Sequence, residues 1–189
     1  ECRAAREGVA FMDASTLGKI DVQGPDAAVF LDLLYTNMMS TLKVGMIRYG
    51  VMCRPDGMVF DDGTVIRVDR DRYLVTTTTG NAATVLDWME EWLQTEWPEL
   101  DVHCTSVTEQ WAQYAIAGPQ SRQLLERLLE GAIDVGDAAF PYLACREFSW
   151  RGIATRLFRV SFSGELAYEL AVPARHGDAA IRAIMAAGA

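Results

Sequence analysis

The chain has 189 residues and a net charge of −9, and half of its residues are hydrophobic. That length and composition are enough to bury a core in one large or two small domains, so we do not expect a disordered chain. The acidic balance disfavours binding to the phosphate backbone of nucleic acid. No apolar run approaches the roughly 18 residues of a membrane-spanning helix, so we expect neither a nucleic-acid nor a membrane partner.

The cysteines and histidines give no sign of a metal centre. Cys2, Cys53, Cys104 and Cys145 form no CxxC pair, and the chain has only two histidines. A structural zinc site needs close pairs of such ligands, so we expect no bound metal. Without a disulfide framework, a reducing cytoplasm is the expected location.

An early strand is predicted to run into Gly24-Pro25, and a helix follows. Proline suits the first helical position, where its missing N–H has no partner to lose. The same pattern returns 94 residues later at Gly118-Pro119, which indicates an internal repeat. The apolar positions of the two predicted helices match at this offset: Phe30 with Leu124, Leu31 with Leu125 and Leu34 with Leu128.

Two further landmarks recur at nearly the same spacing. Tyr49 matches Tyr142 at an offset of 93 residues, and residues 73–75 match residues 168–170 at an offset of 95. Chance could produce one such coincidence, but several in the same order favour a duplication of the whole unit.

Each copy of the repeat ends in a predicted helix, over residues 82–94 and residues 174–189. Between the helices, residues 64–68 and 155–160 alternate apolar and polar side chains, which is typical of half-buried strands. Each repeat is therefore predicted as strand, helix, two or three strands, helix. Hairpin connections produce mostly antiparallel sheets, so the predicted fold class is α+β.

The ends of the sequence suggest a piece of a longer polypeptide. Residue 1 is Glu rather than Met, and no element follows the last predicted helix to cover it. We therefore expect the activity to depend on parts of the polypeptide outside this sequence, and we expect the chain alone to be inactive.

No nucleotide-binding motif is present. The sequence has no GxGxxG after a predicted strand and no GxxxxGK[ST] loop, so the chain itself is not expected to hold a dinucleotide or a nucleoside triphosphate. It also lacks the GxSxG elbow of serine hydrolases.

Carboxylates are the candidate functional groups. Asp61 and Asp62 are adjacent in a predicted strand, so one should face inward and the other outward. Glu169 lies in an apolar strand between Tyr168 and Leu170 and faces either solvent or a ligand. The residues alone favour solvated acids in both places, because Asp and Gly are ordinary turn residues and alternation alone permits a solvent-facing Glu.

Five segments, in order, resemble the folate-binding aminomethyltransferase family, whose best-known member is the glycine cleavage T protein. The resemblance implies an α+β fold in which one sub-domain is inserted into another. It places residues 1–24 and 107–189 in a discontinuous, C-terminally truncated first sub-domain and residues 25–106 in the insertion. The five segments are GVAFMDASTLGKIDVQGPDA (8–27), YGVMCRPDGMVFDD (49–62), NAATVLDWM (81–89), AIAGPQS (115–121) and FSGELAYEL (162–170).

The family resemblance also implies roles for particular residues. The family's essential acid is the second of an Asp-Asp pair and corresponds to Asp62, which is implied to be catalytic. The family's pterin-binding glutamate corresponds to Glu169, and its folate-contacting tyrosine corresponds to Tyr49. An asparagine that resembles a folate contact in the T protein falls on Thr77.

Within the family, three stretches are most similar to the folate domain in the alpha subunits of heterotetrameric sarcosine oxidases. They are DASTLGK (13–19), the threonines at 76–79 and SGELAYELAVPA (163–174). This likeness implies a tetrahydrofolate-binding domain that captures the one-carbon imine from sarcosine oxidation, giving 5,10-methylenetetrahydrofolate and glycine. Flavin and NAD would bind elsewhere in the intact enzyme, and the partners would be the other subunits of the oxidase.

Other functions stay open. The chain also resembles the aminomethyltransferase of the glycine cleavage system and the folate domains of dimethylglycine and sarcosine dehydrogenases. A hypothesis of another class is a non-catalytic module that only scaffolds the assembly of its subunits.

Overall fold

The structure is a computed structural model that describes residues 2–188. Within these residues it contains five α-helices and ten β-strands. The helices are α1 (Cys2–Glu7), α2 (Ala27–Leu34), α3 (Ala82–Thr95), α4 (Ser121–Leu129) and α5 (Gly177–Gly188). The strands are β1 (Ala10–Asp13), β2 (Gly18–Gln23), β3 (Ile47–Cys53), β4 (Val59–Asp69), β5 (Arg72–Thr77), β6 (His103–Ser106), β7 (Trp111–Ala117), β8 (Cys145–Trp150), β9 (Ile153–Phe158) and β10 (Ala167–Pro173).

The chain divides into two compact units. The discontinuous unit contains the residues up to Ser15 and those from Glu109 onward, and the continuous unit contains residues 16–108. Each unit has one five-stranded sheet, in the order β1-β7-β10-β9-β8 in the discontinuous unit and β3-β4-β5-β2-β6 in the continuous unit. The strand pairings of both sheets are antiparallel, so the predicted α+β class is confirmed.

The boundaries of the two units differ from those of the sub-domains expected from the sequence. The expected boundary after residue 24 assigned β2 to the discontinuous sub-domain. In the structure β2 lies inside the sheet of the continuous unit, because it pairs with β5 on one side and β6 on the other.

Helices α2 and α3 cover one face of the sheet in the continuous unit. Helix α2 presents a stripe of apolar side chains at helical spacing, and Phe30, Leu31 and Leu34 on this stripe are buried. They belong to one apolar cluster with Ile20 and Val22 of β2. Burial of the stripe therefore decides which face of the sheet is apolar.

Helices α4 and α5 cover one face of the sheet in the discontinuous unit. The buried side chains of α4 include Leu124, Leu125 and Leu128, the residues matched with the apolar positions of α2. The hydroxyl of Tyr114 in β7 donates a hydrogen bond to the carbonyl oxygen of Gly177 in α5 at 2.9 Å. Tyr114 therefore marks the covered face of this sheet.

Both predicted C-terminal helices of the repeats are present. The first, predicted over residues 82–94, is α3. The second, predicted over residues 174–189, is a short 3-10 turn (Ala174–His176) followed by α5. The last residue of that prediction, Ala189, lies outside the described residues.

The two sheets repeat each other's topology. The order β3-β4-β5-β2-β6 corresponds strand by strand to β8-β9-β10-β7-β1, which is the order of the other sheet read from its opposite edge. The register repeats as well, because Val22 faces Tyr73 in one sheet and Ile116 faces Tyr168 in the other. The predicted internal duplication is therefore confirmed.

One predicted landmark of the duplication is wrong. Tyr49 lies within β3, whereas Tyr142 lies in the turn before β8. The residue after Tyr142 is Leu143, with a φ of 63°, and its counterpart is Gly45, with a φ of 77°. The loop between α4 and β8 is longer than the one between α2 and β3, so the offset drifts there and Tyr142 matches position 44 instead.

The repeats exchange their first strands. In the chain, β1 precedes β2 but pairs with β7, and β6 precedes β7 but pairs with β2. The first residues of these strands, Ala10 and His103, are 93 residues apart, close to the offset of the repeat. Each sheet is therefore completed by an edge strand that the other repeat contributes.

The repeated Gly-Pro has a steric cause. Gly24 and Gly118 have φ values of 140° and 130°. A Cβ atom on Gly24 would lie 2.0 Å from the carbonyl oxygen of Asp101, and one on Gly118 would lie 2.3 Å from the carbonyl oxygen of Gly8. Asp101 and Gly8 lie just before β6 and β1, so both close approaches hold the segments that lead into the exchanged strands.

We expect Gly24→Ala and Gly118→Ala each to lower the free energy of unfolding by more than about 2 kcal/mol, because the new Cβ meets backbone at an unfavourable φ. Gly57→Ala is the matched control. Its φ is 83° and a Cβ would meet nothing within 4 Å, so it should cost only about 1 kcal/mol. Urea unfolding measures all three free energies, and equal losses would contradict the close-approach explanation.

Candidate functional site

Each sheet has a second face without helices, which we call the helix-free face. In the continuous unit, Val65, Tyr73 and Val75 belong to the apolar cluster under α2 and α3. Neighbouring strand residues point to opposite faces. The side chains of Thr64 and Thr76 therefore lie on the helix-free face, where their hydroxyl oxygens are 2.8 Å apart.

Asp62 and Tyr49 lie together on this helix-free face. In the register of β3 and β4, Val51 faces Asp62 and Tyr49 faces Thr64, so Tyr49 and Asp62 are diagonal neighbours. The hydroxyl of Tyr49 donates a hydrogen bond to the carboxylate of Asp62. Tyr49 is 54% exposed and Asp62 is half-buried, so the pair is accessible to a ligand.

Asp61 points to the covered face and has a different function. It is 5% exposed, and its carboxylate accepts a hydrogen bond from the backbone N–H of Thr78 at 3.2 Å. The side-chain amide of Asn81 donates to the carbonyl oxygen of Phe60 at 3.0 Å. The prediction that one acid faces inward and the other outward is confirmed, and Asp61 ties the start of α3 to β4.

Thr77 does not lie beside Asp62. It is 2% exposed on the covered face of β5, and its hydroxyl donates to the carbonyl oxygen of Thr78 at 3.2 Å. A Cβ atom on Gly18, its partner in β2, would lie 2.0 Å from its hydroxyl oxygen. Thr77 therefore fills space between two strands and the start of α3.

Sequence reasoning missed a set of buried charges on the helix-free face of β2. Lys19 is 1% exposed and Asp21 is 7% exposed. Arg72 donates to both carboxylate oxygens of Asp21, with N–O distances from 2.6 to 3.2 Å. The alternating pattern of β2 predicts which residues share a face, but the same pattern is typical of a strand whose polar face is solvated.

Glu169 lies on the helix-free face of the discontinuous unit. Its neighbour Tyr168 points to the covered face, where its hydroxyl accepts a hydrogen bond from Nε of Arg122 in α4 at 3.1 Å. The half-buried carboxylate of Glu169 accepts a hydrogen bond from Nε2 of Gln113 at 2.5 Å. Glu169 is thus partly withdrawn from solvent, unlike the solvated acid that the residue pattern alone favours.

Arg156 is a second residue that sequence reasoning missed. It lies on the helix-free face of β9 and is 6% exposed. Its guanidinium carbon lies 4.1 Å from the centre of the Trp111 ring, and its Nε donates to the carboxylate of Glu147 at 2.5 Å. The alternation in residues 155–160 places Arg156 on this face, but an arginine in a half-buried strand is ordinarily a solvated side chain.

Neither the half-buried Cys104 nor the buried Cys145 is a nucleophile. Burial raises the pKa of Cys104 to about 12 and that of Cys145 to about 12. All four cysteines are free thiols. Since the thiolate is the reactive form, Cys104 and Cys145 stay protonated and inert near neutral pH.

Residues 2–188 offer neither a grouping of metal ligands nor a membrane-spanning helix. Among residues 2–188, no three His, Cys, Asp or Glu side chains are grouped so that they could hold a metal ion. Within the same part of the chain, none of the helices is long and apolar enough to cross a membrane.

The chain belongs to the GCVT N-terminal domain family, which it matches over residues 1–189. The resemblance inferred from the five sequence segments is therefore confirmed. This family is defined over the whole chain, so it includes both units and both helix-free faces.

Curated relatives give the same family and a more specific likeness. The sarcosine oxidase alpha subunit of Corynebacterium sp. (strain P-1) is 57% identical over 189 residues, which cover all of this chain and 19% of that subunit. The alpha subunit of Rhizobium meliloti (strain 1021) is 49% identical over 97% of this chain and 18% of that subunit. The aminomethyltransferase of Desulforamulus reducens is 32% identical over all of this chain and 50% of that protein. The chain thus spans about a fifth of the first two relatives and half of the third.

Two solved structures share the fold. Aminomethyltransferase T of the glycine cleavage system from Bartonella henselae superposes with a TM-score of 0.83 at 20% identity, over 97% of this chain and 47% of that one. A heterotetrameric sarcosine oxidase from Corynebacterium sp. U-96 superposes with a TM-score of 0.67 at 15% identity, over 98% of this chain and 87% of that one. These superpositions confirm the predicted glycine cleavage T protein-like fold.

The thiol assignments can be tested by labelling. At pH 8 we expect a thiol reagent such as an aromatic disulfide to modify the exposed Cys2 rapidly. Cys104 and Cys145 should react at least about 100-fold more slowly than Cys2, because their raised pKa keeps both thiols protonated at pH 8. Mass spectrometry of the labelled peptides measures the rates, and comparable labelling of all three would contradict the assignment.

Proposed function

We propose that this chain is the tetrahydrofolate-binding domain of a sarcosine oxidase alpha subunit. The supporting comparisons are membership of the GCVT N-terminal domain family and 57% identity over the full chain to one such subunit. The geometric observation that carries the proposal is the Tyr49–Asp62 pair, an accessible carboxylate held by a phenol on the helix-free face. A carboxylate so placed is suited to a reaction that moves positive charge or a proton.

Glu169 would bind the pterin ring of the folate. A pterin presents a ring N–H and an exocyclic amine side by side, and one carboxylate accepts from both in a bidentate pair. Its position supports this role, because the carboxylate is half-buried and one side of it is fixed by Gln113. A carboxylate has about four acceptor positions and can therefore accept from several donors at once.

Asp62 would act on the reacting nitrogen of the folate. When that nitrogen forms a bond to a one-carbon unit, it becomes positively charged and must lose a proton. The carboxylate of Asp62 either stabilises that charge or takes the proton. Tyr49 would pack against the folate and hold Asp62 through its hydroxyl group.

In the proposed reaction, the imine and tetrahydrofolate together supply every atom of the two products. Sarcosine is first oxidised to its imine at a flavin elsewhere in the polypeptide or its partners, with NAD bound there as well. A nitrogen of tetrahydrofolate then adds to the imine carbon, and the second folate nitrogen displaces glycine. The products are 5,10-methylenetetrahydrofolate and glycine, and the two protons lost by the folate nitrogens leave on glycine.

The other subunits of a heterotetrameric oxidase are the proposed partners, and a reducing cytoplasm is the proposed location. The solved sarcosine oxidase that shares the fold is heterotetrameric. The four free thiols agree with a reducing compartment. Thr77 is left out of the proposed folate contacts, because its hydroxyl is buried on the covered face.

The alternative functions differ in what they bind. An aminomethyltransferase, favoured by the relative that is 32% identical, would take its one-carbon unit from a carrier-bound aminomethyl group rather than from free imine. A scaffold would bind no folate at all. Titration of the full-length protein with 5-formyltetrahydrofolate, an air-stable reduced folate, separates the proposal from the scaffold, which predicts no binding heat.

Asp62→Asn in the full-length enzyme should change the products and leave the turnover of sarcosine intact. The substitution keeps the shape of the side chain and removes its charge. Oxidation at the flavin should continue, but capture should fail, so the imine would be hydrolysed to formaldehyde and glycine. The ratio of formaldehyde to methylenetetrahydrofolate, measured with tetrahydrofolate present, should rise by about 10-fold or more.

Asp87→Asn is the matched control for Asp62→Asn, because Asp87 is an exposed carboxylate on α3. Asp61→Asn is not suitable, since it would weaken the contact that holds the start of α3. A product ratio that is the same in Asp62→Asn and in the wild type would refute the catalytic assignment.

Glu169→Gln should weaken the binding of reduced folate and leave amine oxidation unchanged. One of the two pterin donors would face an amide NH₂ instead of an oxygen, which costs about 1 to 3 kcal/mol. Calorimetric titration of the full-length protein measures the loss. Glu126→Gln, at an exposed position on α4, removes the same charge and should leave the affinity unchanged. Equal affinities for Glu169→Gln and the wild type would mean that Glu169 does not bind the pterin.

A further inference from the structure

The continuous unit has a groove between α3 and β6, which we call the α3–β6 groove. Its volume is about 440 Å³, and it is lined by residues of α3 and of the segment 100–105. Its floor is apolar, because Leu93, Leu100 and Cys104 are half-buried and Val102 is buried. Glu90 lies on its exposed rim. An apolar floor inside a polar rim is typical of a protein interaction site.

The outer edge of β6 is open. β6 is the last strand of its sheet and pairs with β2. The backbone N–H of Val107 donates to the carbonyl oxygen of Lys19 at 2.8 Å. Because the backbone groups of successive residues in an antiparallel strand face opposite edges, those of Thr105 also face β2. The N–H and C=O groups of Cys104 and Ser106 therefore point away from β2, where no strand among residues 2–188 pairs with them.

An open edge of this kind accepts an added strand from another chain. Many proteins block such edges with a lysine, a proline or a bulge. β6 has none of the three, since its sequence is HCTS and its register with β2 is unbroken. The strand has four residues, so an added strand pairs over a similar length and needs further contacts from the groove beside it.

The surface around the groove is acidic throughout. From residue 73 to residue 108 the chain carries six acids and no Lys or Arg. All six acids are exposed, and among the described residues none of them pairs with Lys or Arg. They are Asp87, Glu90, Glu91, Glu96, Glu99 and Asp101. Burial, and then the carboxylate of Glu90, raise the pKa of the Cys104 thiol to about 12, so the negative potential of the rim extends to the floor.

This charge disfavours several occupants of the groove. Two copies of the chain joined β6 to β6 would bring two acidic surfaces together, which is unfavourable. Nucleic acid and the carboxylates of a folate tail carry the same sign of charge as the groove. The groove is also separate from Asp62 in β4, because β5 and β2 lie between β4 and β6, a distance of roughly 14 Å. The charge therefore favours a basic partner.

We propose that the α3–β6 groove binds an extended, basic segment of a partner subunit, which adds a strand to β6. The backbone of this segment pairs with the outward groups of Cys104 and Ser106. Every second side chain then points toward the groove, where the methylene stem of a lysine or arginine covers Leu93 and its charge reaches Glu90. Only the identity of the partner rests on the proposed function, because the groove does not depend on folate.

A partner subunit is a more suitable occupant than another part of the same polypeptide. Exposed charges contribute little to the stability of a folded chain. They do raise the rate at which separate molecules of opposite charge associate. Six exposed acids without a Lys or Arg partner therefore have their largest effect on a segment that arrives from solution.

Binding of a basic peptide to the full-length polypeptide tests the proposal. The probe is a fluorescein-labelled heptapeptide in which lysine and valine alternate, and fluorescence anisotropy at physiological salt measures its affinity. The same peptide with glutamate in place of lysine should bind at least about 10-fold more weakly.

Two neighbouring acids provide matched variants. Glu90→Lys should weaken binding of the lysine peptide about 10-fold, because it replaces an attraction in the groove by a repulsion. Glu91 is equally exposed but does not line the groove. Glu91→Lys should therefore change the affinity by less than about 3-fold, since salt screens the more distant charge.

Hydrogen exchange distinguishes strand addition from simple attraction of charges. With saturating lysine peptide, the backbone N–H groups of Cys104 and Ser106 should exchange at least about 10-fold more slowly than without it. The N–H of Thr105, which lies between them, faces β2 and should change less. Mass spectrometry with fragmentation to single residues measures all three rates in the wild-type protein, so no substitution in the sheet is needed.

Each other outcome overturns the proposal. Equal losses for Glu90→Lys and Glu91→Lys would mean that the acidic surface attracts cations without using the groove. Unchanged exchange at Cys104 and Ser106 would mean that no strand is added. Failure of the wild-type protein to bind the lysine peptide would mean that the groove does not accept a basic segment.

Competition tests the partner. The other subunits of the oxidase, added to saturation, should displace the lysine peptide from the full-length polypeptide. A peptide that stays bound would mean that these subunits do not occupy the groove. Absence of folate binding would refute the proposed function and would leave the result with the peptide unaffected.

Discussion

The alternation of side chains across each sheet determines where every group of interest lies. Helices cover one face of each five-stranded sheet, and their apolar stripes require apolar strand residues on that face. Polar residues one position along the strand then lie on the helix-free face. A single step along the chain therefore separates Asp61, which holds α3, from Asp62, which is accessible. The same step separates Tyr168, under α4, from Glu169.

Placement on strands also limits how far these groups move. Strands in the middle of a sheet are held by hydrogen bonds on both sides, and sites built on such elements are more precisely placed than sites on loops. β4 and β10 each pair with two neighbours, so Asp62 and Glu169 both lie on central strands. Each carboxylate also accepts a hydrogen bond from a side chain of the adjoining strand, Tyr49 for Asp62 and Gln113 for Glu169.

The fold was predictable from the sequence because it is repeated. Each helix and strand pattern occurs twice, so one copy confirms the assignment of the other. Glycine recurs at positions 24 and 118 because both positions have a positive φ and a close approach to another backbone segment. The landmark at Tyr142 was wrong because it lies in a loop, where no packing constrains the length. Strand exchange was not predictable, since β1 is short and its pattern does not specify which edge it completes.

The candidate site was only partly predictable. Alternation indicated that Asp61 and Asp62 differ, but the family resemblance was needed to choose between them and to single out Glu169. The family resemblance placed a folate-contacting asparagine on Thr77, whereas alternation along β5 puts the Thr77 side chain on the covered face beside Gly18. Arg156 was missed because a pattern of alternation cannot distinguish a buried cation from a solvated one.

Exchange of first strands between two copies is how a domain-swapped dimer is built. In that light the chain is a swapped dimer whose two copies are joined covalently. Identical copies would carry every functional group twice, but a joined pair is free to differ. The position equivalent to Glu169 is Leu74 in the other repeat, and the position equivalent to Asp62 is Ala154. Each repeat thus carries one of the two carboxylates, and the two linked copies differ at the positions proposed for binding and for chemistry.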